Sequence, residues 1–567
     1  MLPNVAAARG PRVPPAFRLL LWCAGGAALV QAMLAAFERN PYDFSPIFAY
    51  LLRAFDGHGN ALLGGVAVLA FLLRRQPAAL AAVRLAGERA GTLALAAFAL
   101  FGVGAFVVYR AYPVAMDEYV ALFQAQAFAA GKLGGQFPPD LLDHLLPRLP
   151  ANYFLTASRL TGEVSGSYLP AFSLLMAPFA WAGVPWLANP AISALTLPAL
   201  RRLVLEVSGS REAAGWAVLL TLASPVFTVS AISYYSMPAH LLCSVLYALL
   251  LLQPTVARAF AAGVVGSVAL ALHNPAPHVL FAAAFVVWLL ARRTPIAVLA
   301  ALVAGYAPLT ALLWVGWQQH LVALMAAAPP SAGAAAAATA PAPSAAPGVI
   351  ERIAAQVSSA LVFPTPRTIA ARVAGLAKAW TWASAGLLVL AAWGFVAARR
   401  LPAVRTLAAA LAITFFGYFL VPFDQGHGWG YRYLHAAWFV LPLLAALALA
   451  REDADAELRH MAAWAAAASL VLANGLRLSQ VDLFVQQHLA QVPPLALPAD
   501  PARAEIVLVD AAAGAYTRDM VHNDPFLRGT RLVLAYDGHA ATQQLMARRF
   551  PGYAFVRAGR WGELWAK

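Results

Sequence analysis

The chain has 567 residues, of which 62% are hydrophobic and only 11% are charged. A soluble domain carries about 25% charged residues, so an array of soluble domains is excluded, and 30 Phe, 17 Tyr and 15 Trp exclude a disordered chain. The net charge of +14 reads, in so apolar a sequence, as Lys and Arg held at the cytoplasmic ends of membrane helices, so no nucleic-acid partner is expected.

A helix needs about 20 mostly apolar residues to cross ~30 Å of hydrocarbon. Thirteen segments qualify, some as short spans: 19–37, 59–73, 91–109, 185–203, 213–231, 239–252, 259–272, 277–291, 295–316, 379–397, 405–422, 434–450 and 461–478. With the amino terminus inside, the cytoplasmic segments hold Arg9, Arg12, Arg18, Arg74, Arg75, Arg201, Arg202, Arg292, Arg293, Arg399 and Arg400. The odd helix count then puts the carboxyl terminus outside. The first three arginines also fit the start of a signal peptide, and cleavage there would leave the later topology unchanged. The stretch 167–184 is apolar enough to span. If it did, Arg201, Arg202, Arg292, Arg293, Arg399 and Arg400 would turn outward, so it is read as a helix along the outer interface, broken at Pro170 and Pro178. Cys23 and Cys243 sit in apolar runs and read as packing residues.

Three outer regions remain. Loop 110–184 carries acids and aromatics. Loop 317–378 opens with an Ala/Pro-rich tract, 326–348, and continues with Ile350, Ile353, Val357 and Leu361 at helical spacing. It suits either a lid or a functionless connection. The tail has strand patterns at 505–510 and 531–538, a helix pattern at 539–550 and a short strand after it. The expected fold is therefore a polytopic all-α membrane protein with a small extracytoplasmic α/β domain. The divisions fall at 1–90 (two early helices), 91–480 (the main membrane body) and 481–567 (the outer domain), and the lipid bilayer is the first partner.

Scarce polar residues at membrane depth carry the functional signal. Under this topology every histidine except His460 lies outside. The sharpest feature is Met116-Asp117-Glu118-Tyr119, just beyond the third helix. Taken alone, the pair equally suits a helix amino terminus, where acids match the macrodipole.

A membrane helix followed by an Asp-Glu pair at the start of the first large outer loop resembles the GT-C superfamily. These are integral-membrane glycosyltransferases of the protein O-mannosyltransferase and aminoarabinose-transferase type. Ser167-Tyr168-Leu169-Pro170, Asn189-Pro190 before a helix ending at Arg201-Arg202, Ala223-Ser224-Pro225 followed by SYYSMPAH, His273-Asn274-Pro275, and Gly430-Tyr431-Arg432-Tyr433 before Leu441-Pro442-Leu443 match in order. The resemblance covers residues 91–480 and leaves the helices at 19–37 and 59–73 as an addition. It implies transfer of a sugar from a polyprenyl-phosphate-linked sugar to a hydroxyl of a lipid, glycan or protein acceptor. Asp117 is then the candidate base, with Glu118 orienting it or helping to hold a cation. Arg432 is the candidate phosphate ligand, against the alternative that it snorkels to lipid phosphate. In FDQGHGWGYRY (423–433), Tyr431 supplies a ring and Asp424, Gln425 and His427 supply hydrogen bonds for a sugar, unless the segment is an ordinary interfacial aromatic belt. Tyr168 belongs to the same candidate site.

The sequence departs from the pattern where relatives carry a second Asp, because His240 stands there without a carboxylate. Arg159 or Arg148 replaces a basic residue that precedes the family's Pro-Pro segment. A divalent cation, Mg or Mn, at Asp117 and Glu118 is the one cofactor considered. The histidines His240, His273, His278, His427 and His435 lack ligand spacing and read as polar residues at an aqueous boundary. In the tail, Asp519, His522, Asn523 and Asp524 cluster without the spacing of a second active site, which suits a structural cap or an acceptor-recognition surface. A flippase for lipid-linked sugars would need polar residues inside the spans and repeat symmetry; few charges and no repeat are visible. A membrane scaffold is the remaining alternative.

Overall fold

The computed structural model describes residues 13–38, 46–147, 154–326, 354, 358, 361–422, 426–496, 499–514, 516–536 and 539–567. Residues 327–348, Ile350, Ile353, Val357, Arg148, Asp424 and Gln425 lie outside the described residues.

The body is helical. Among the described residues six helices are long and apolar enough to cross a membrane, among them Pro15–Phe37, Ala49–Leu72, Ala90–Val107 and Pro402–Leu420. The helix Ala90–Val107 explains the pattern. Ala97, Phe101 and Ala105 are buried while Leu95, Leu100, Val103 and Phe106 stay exposed, so the helix is apolar on both faces, as a lipid-facing helix must be. Six shorter apolar helices of 10–17 residues complete the set. Small residues let them approach: a Cβ on Gly263 would collide with the Leu302 carbonyl, and one on Gly305 with the Phe260 carbonyl. That is how membrane helices pack without a hydrophobic drive between them.

Two expectations change in detail. The segment 213–231 is not one helix but two, Arg211–Leu222 and Pro225–Ala231, bent by 65°. Pro225 forces this, because the residue before a proline avoids helical dihedrals, and Ser224 is extended at φ −96°, ψ 114°. The apolar stretch 167–184 holds a helix only over Ala171–Trp181. At 1.5 Å per residue its 11 residues reach about 16 Å, half a hydrocarbon core.

The two early helices pack into the body. Val30, Leu34 and Leu52 share a core with Ala371, Ala374 and Ala377 of the helix Pro366–Thr381. At the other end, loop 110–184 forms the helix Met116–Ala129 and a small antiparallel sheet in which Glu163–Gly166 pairs with Gly135–Gln136 and Leu155–Ala157. The tail forms a four-stranded sheet in the order Arg531–Tyr536, Glu505–Asp510, Gly562–Ala566, Ala554–Ala558; the first pair is parallel and the other two antiparallel. Phe123, Phe137 and Leu155 from the loop and Ile506, Leu508 and Leu534 from the tail make one hydrophobic core.

Candidate active site

The site is built on the first turn of Met116–Ala129. The chain enters it through Arg110 and Ala111, both at positive φ (56° and 48°), and through Ala115, which is extended and offers no side-chain cap. Consecutive residues on a helix point about 100° apart, so Asp117 and Glu118 face different surroundings.

Glu118 turns into the protein and is fully buried. It accepts hydrogen bonds from the Tyr109 hydroxyl (3.0 Å), the Val114 amide (2.9 Å) and the Tyr234 amide (2.9 Å). Burial pushes its carboxyl up to about 7, against the pull of those donors. Both Glu118 oxygens are engaged by protein donors, and the side chain ties the helix to Tyr109 and to the turn at Tyr234.

Asp117 faces a small cavity that is partly open to solvent. The Tyr168 hydroxyl donates to Oδ1 at 2.6 Å and the Arg432 guanidinium to Oδ2 at 2.8 Å. Burial pushes the Asp117 carboxyl upward, but the Arg432 charge and the two hydrogen bonds outweigh it and hold it below the usual carboxylate range. Arg432 lies over the Tyr235 ring, 4.3 Å from its centroid. The Tyr168 ring sits 3.8 Å from that of His273, whose imidazole is lowered to about 4 by burial, against the Asp117 charge. Gln124 and Ser236 line the same space.

Three predicted residues, Asp117, Tyr168 and Arg432, are thus brought together over three distant parts of the chain. Four others are not. Arg159 lies on the surface, paired with Asp143 at 2.6 Å. His240 is buried in the helix Met237–Leu251. Tyr431 and His427 are buried in a two-residue-per-strand hairpin, His427–Gly428 with Gly430–Tyr431, and Tyr431 packs on Gly375 rather than on the cavity. Tyr431 ends the hairpin strand and Arg432 opens the 3-10 helix Arg432–Ala437, and of the two only Arg432 lines the cavity. Tyr235 and Ser236, in the turn before Met237–Leu251, and Gln124, on Met116–Ala129, are cavity residues to which the sequence gives no role of their own. Among the described residues no three His, Cys, Asp or Glu side chains are grouped as a metal site.

The tail takes part as well. Tyr119, the residue after Glu118, donates its hydroxyl to the Asn523 carbonyl (2.8 Å) and accepts from the Asn523 amide (2.9 Å). His522 stacks on the Tyr119 ring at 4.1 Å, so the carboxyl-terminal domain grips the helix that carries Asp117.

The crystal structure of ArnT from Cupriavidus metallidurans bound to undecaprenyl phosphate superimposes on this chain with a TM-score of 0.50 at 11% sequence identity. The match covers 84% of this chain and 97% of ArnT. The chain has the ArnT fold. The apo state of ArnT aligns with a TM-score of 0.46 at 13% identity, over 82% of this chain and 97% of that one. No protein-family model and no curated protein sequence matches. The ArnT likeness supports, at the level of fold, the GT-C resemblance read from the ordered motifs.

Proposed function

We propose that this chain is a multi-pass membrane glycosyltransferase that moves a sugar from a polyprenyl-phosphate donor to a hydroxyl of a lipid, glycan or protein acceptor. The reaction takes place at the outer face of the cytoplasmic membrane. The observation that carries the reading is the Asp117–Arg432 pair, a carboxylate and a guanidinium meeting in a cavity walled by Tyr168 and Tyr235. The ArnT fold supports it, and the ArnT structure that holds undecaprenyl phosphate supports the lipid-phosphate donor.

The acceptor oxygen attacks the anomeric carbon, its proton passes to Asp117, and the bond from that carbon to the phosphate oxygen breaks with the electron pair leaving on the phosphate. Arg432 meets that developing charge, since a guanidinium pairs with phosphate through two parallel hydrogen bonds. Asp117 is the carboxylate facing the cavity among the described residues, which fits direct displacement with inversion rather than a covalent intermediate. Paired with Arg432, Asp117 is a weak base. A donor phosphate that draws Arg432 away leaves Asp117 buried without its cation, and burial then raises its proton affinity. Donor binding thereby arms the base.

The test is Asp117→Asn in membranes supplied with lipid-linked sugar. Loss of transfer with retained donor binding is expected; full transfer removes Asp117 as the base. The amino terminus is assigned inside and the outer domain outside, and labelling of a cysteine at position 117 from the cytoplasmic side would overturn that orientation.

A further inference from the structure

A second ionic cluster lies apart from the cavity, where the two early helices meet the body. Asp56 pairs with the Lys378 ammonium at 3.0 Å and with the Arg477 guanidinium at 3.2 Å, and all three side chains are at most 1% exposed. Trp382 donates its indole N–H to Asp56 at 2.8 Å. Arg477 also donates to the Phe55 and Thr381 carbonyls. Burying two cations against one carboxylate is a poor way to gain stability, because an apolar replacement of such a cluster is often neutral or stabilising. The arrangement therefore needs another reason.

That reason is the second contact of Lys378, whose ammonium donates to the Gly428 carbonyl at 3.1 Å. Gly428 pairs with Gly430 in the hairpin that delivers Arg432, and a Cβ on Gly428 would sit 3.3 Å from the Arg432 Cδ. The Arg432 amide closes the same hairpin on the Gly426 carbonyl at 2.8 Å. Between the two strands, Trp429 donates to the Tyr109 hydroxyl at 2.9 Å, which in turn donates to Glu118. The hairpin is thus tied on one side to the Asp56 cluster and on the other to the helix bearing Asp117. We infer that Lys378, held in place by Asp56 on the early helices, is a positioning residue that sets Arg432 where the donor phosphate binds. This rests on the reading of Arg432 as the phosphate ligand. It gives the two helices that precede the GT-C-like region a part in donor binding.

The experiment uses the purified full chain, with undecaprenyl phosphate as the probe and melting measured in parallel. Lys378→Met leaves Asp56 paired one to one with Arg477 but removes the donor to Gly428. It should bind undecaprenyl phosphate about tenfold more weakly, the size of one charge-assisted hydrogen bond, with melting retained. The KM for the lipid-linked donor should rise while that for the acceptor stays unchanged. Lys378→Gln, which still donates to Gly428, should recover most of the binding. Wild-type binding by Lys378→Met, or weak binding by Lys378→Gln at normal melting, overturns the inference. Arg432→Gln separates the two readings. If it loses binding while Lys378→Met does not, the positioning role alone fails; if it binds normally, the phosphate reading fails and the inference with it.

Discussion

Asp117 and Asp56 are both carboxylates that hold an arginine, yet their surroundings divide them. In the Asp117–Arg432 pair the side chains keep 12% and 18% of their exposure and border a cavity. Around Asp56 the three partners are sealed. A pair that borders open space can exchange a partner for a ligand at modest desolvation cost. A sealed cluster cannot, because losing its carboxylate strands two cations in low dielectric. Similar chemistry therefore serves reaction in one place and placement in the other.

The comparison predicts effects of decreasing size. Asp117→Asn should lower sugar transfer by roughly 10²–10⁴-fold, the worth of a general base, with little change in melting; a variant that melts early instead would make Asp117 another Asp56. Asp56→Asn should do the reverse and cost about 3–5 kcal/mol of stability, since it strands Lys378 and Arg477. Denaturation in detergent reads this, and normal melting would remove the distinction. Tyr168→Phe takes one donor from Asp117 and should slow transfer about tenfold, measured as kcat/KM for the lipid-linked donor.

The smallest effect is on pH. The Glu118 carboxyl is raised to about 7 from an ordinary 4.5, so the folded state binds the extra proton between those values. Its stabilising contribution is complete below the unfolded value and is lost as pH rises through about 7. Melting temperature should fall over that interval, and Glu118→Gln, though melting lower overall, should flatten the slope in part, the rest resting with Asp519, which burial also raises to about 7.

Asp117 was legible because acids are scarce in this chain, and Arg432 because it is the basic residue of its Gly-rich loop. Glu118 was legible only as a neighbour that orients Asp117 or helps hold a cation, since two adjacent acids look alike until the helix turns one of them inward. Asp56, Lys378 and Arg477 each fall at the edge of a predicted span, where a charge ordinarily reads as a side chain reaching for water. Their meeting in the interior corrects the impression that the spans carry few buried charges. The grip of Asn523 and His522 on Tyr119 was equally hidden, because nothing local links residues some 400 positions apart.

Composition by itself determined that this chain is helical and membrane-embedded, since apolar runs leave the backbone no other way to satisfy its hydrogen bonds in lipid. It also narrowed the candidate chemistry to a few polar residues. Which of them face the cavity, which staple the fold, and how the early helices reach Arg432 were decided only by tertiary packing. Side-chain direction and long-range pairing depend on neighbours brought from elsewhere in the chain.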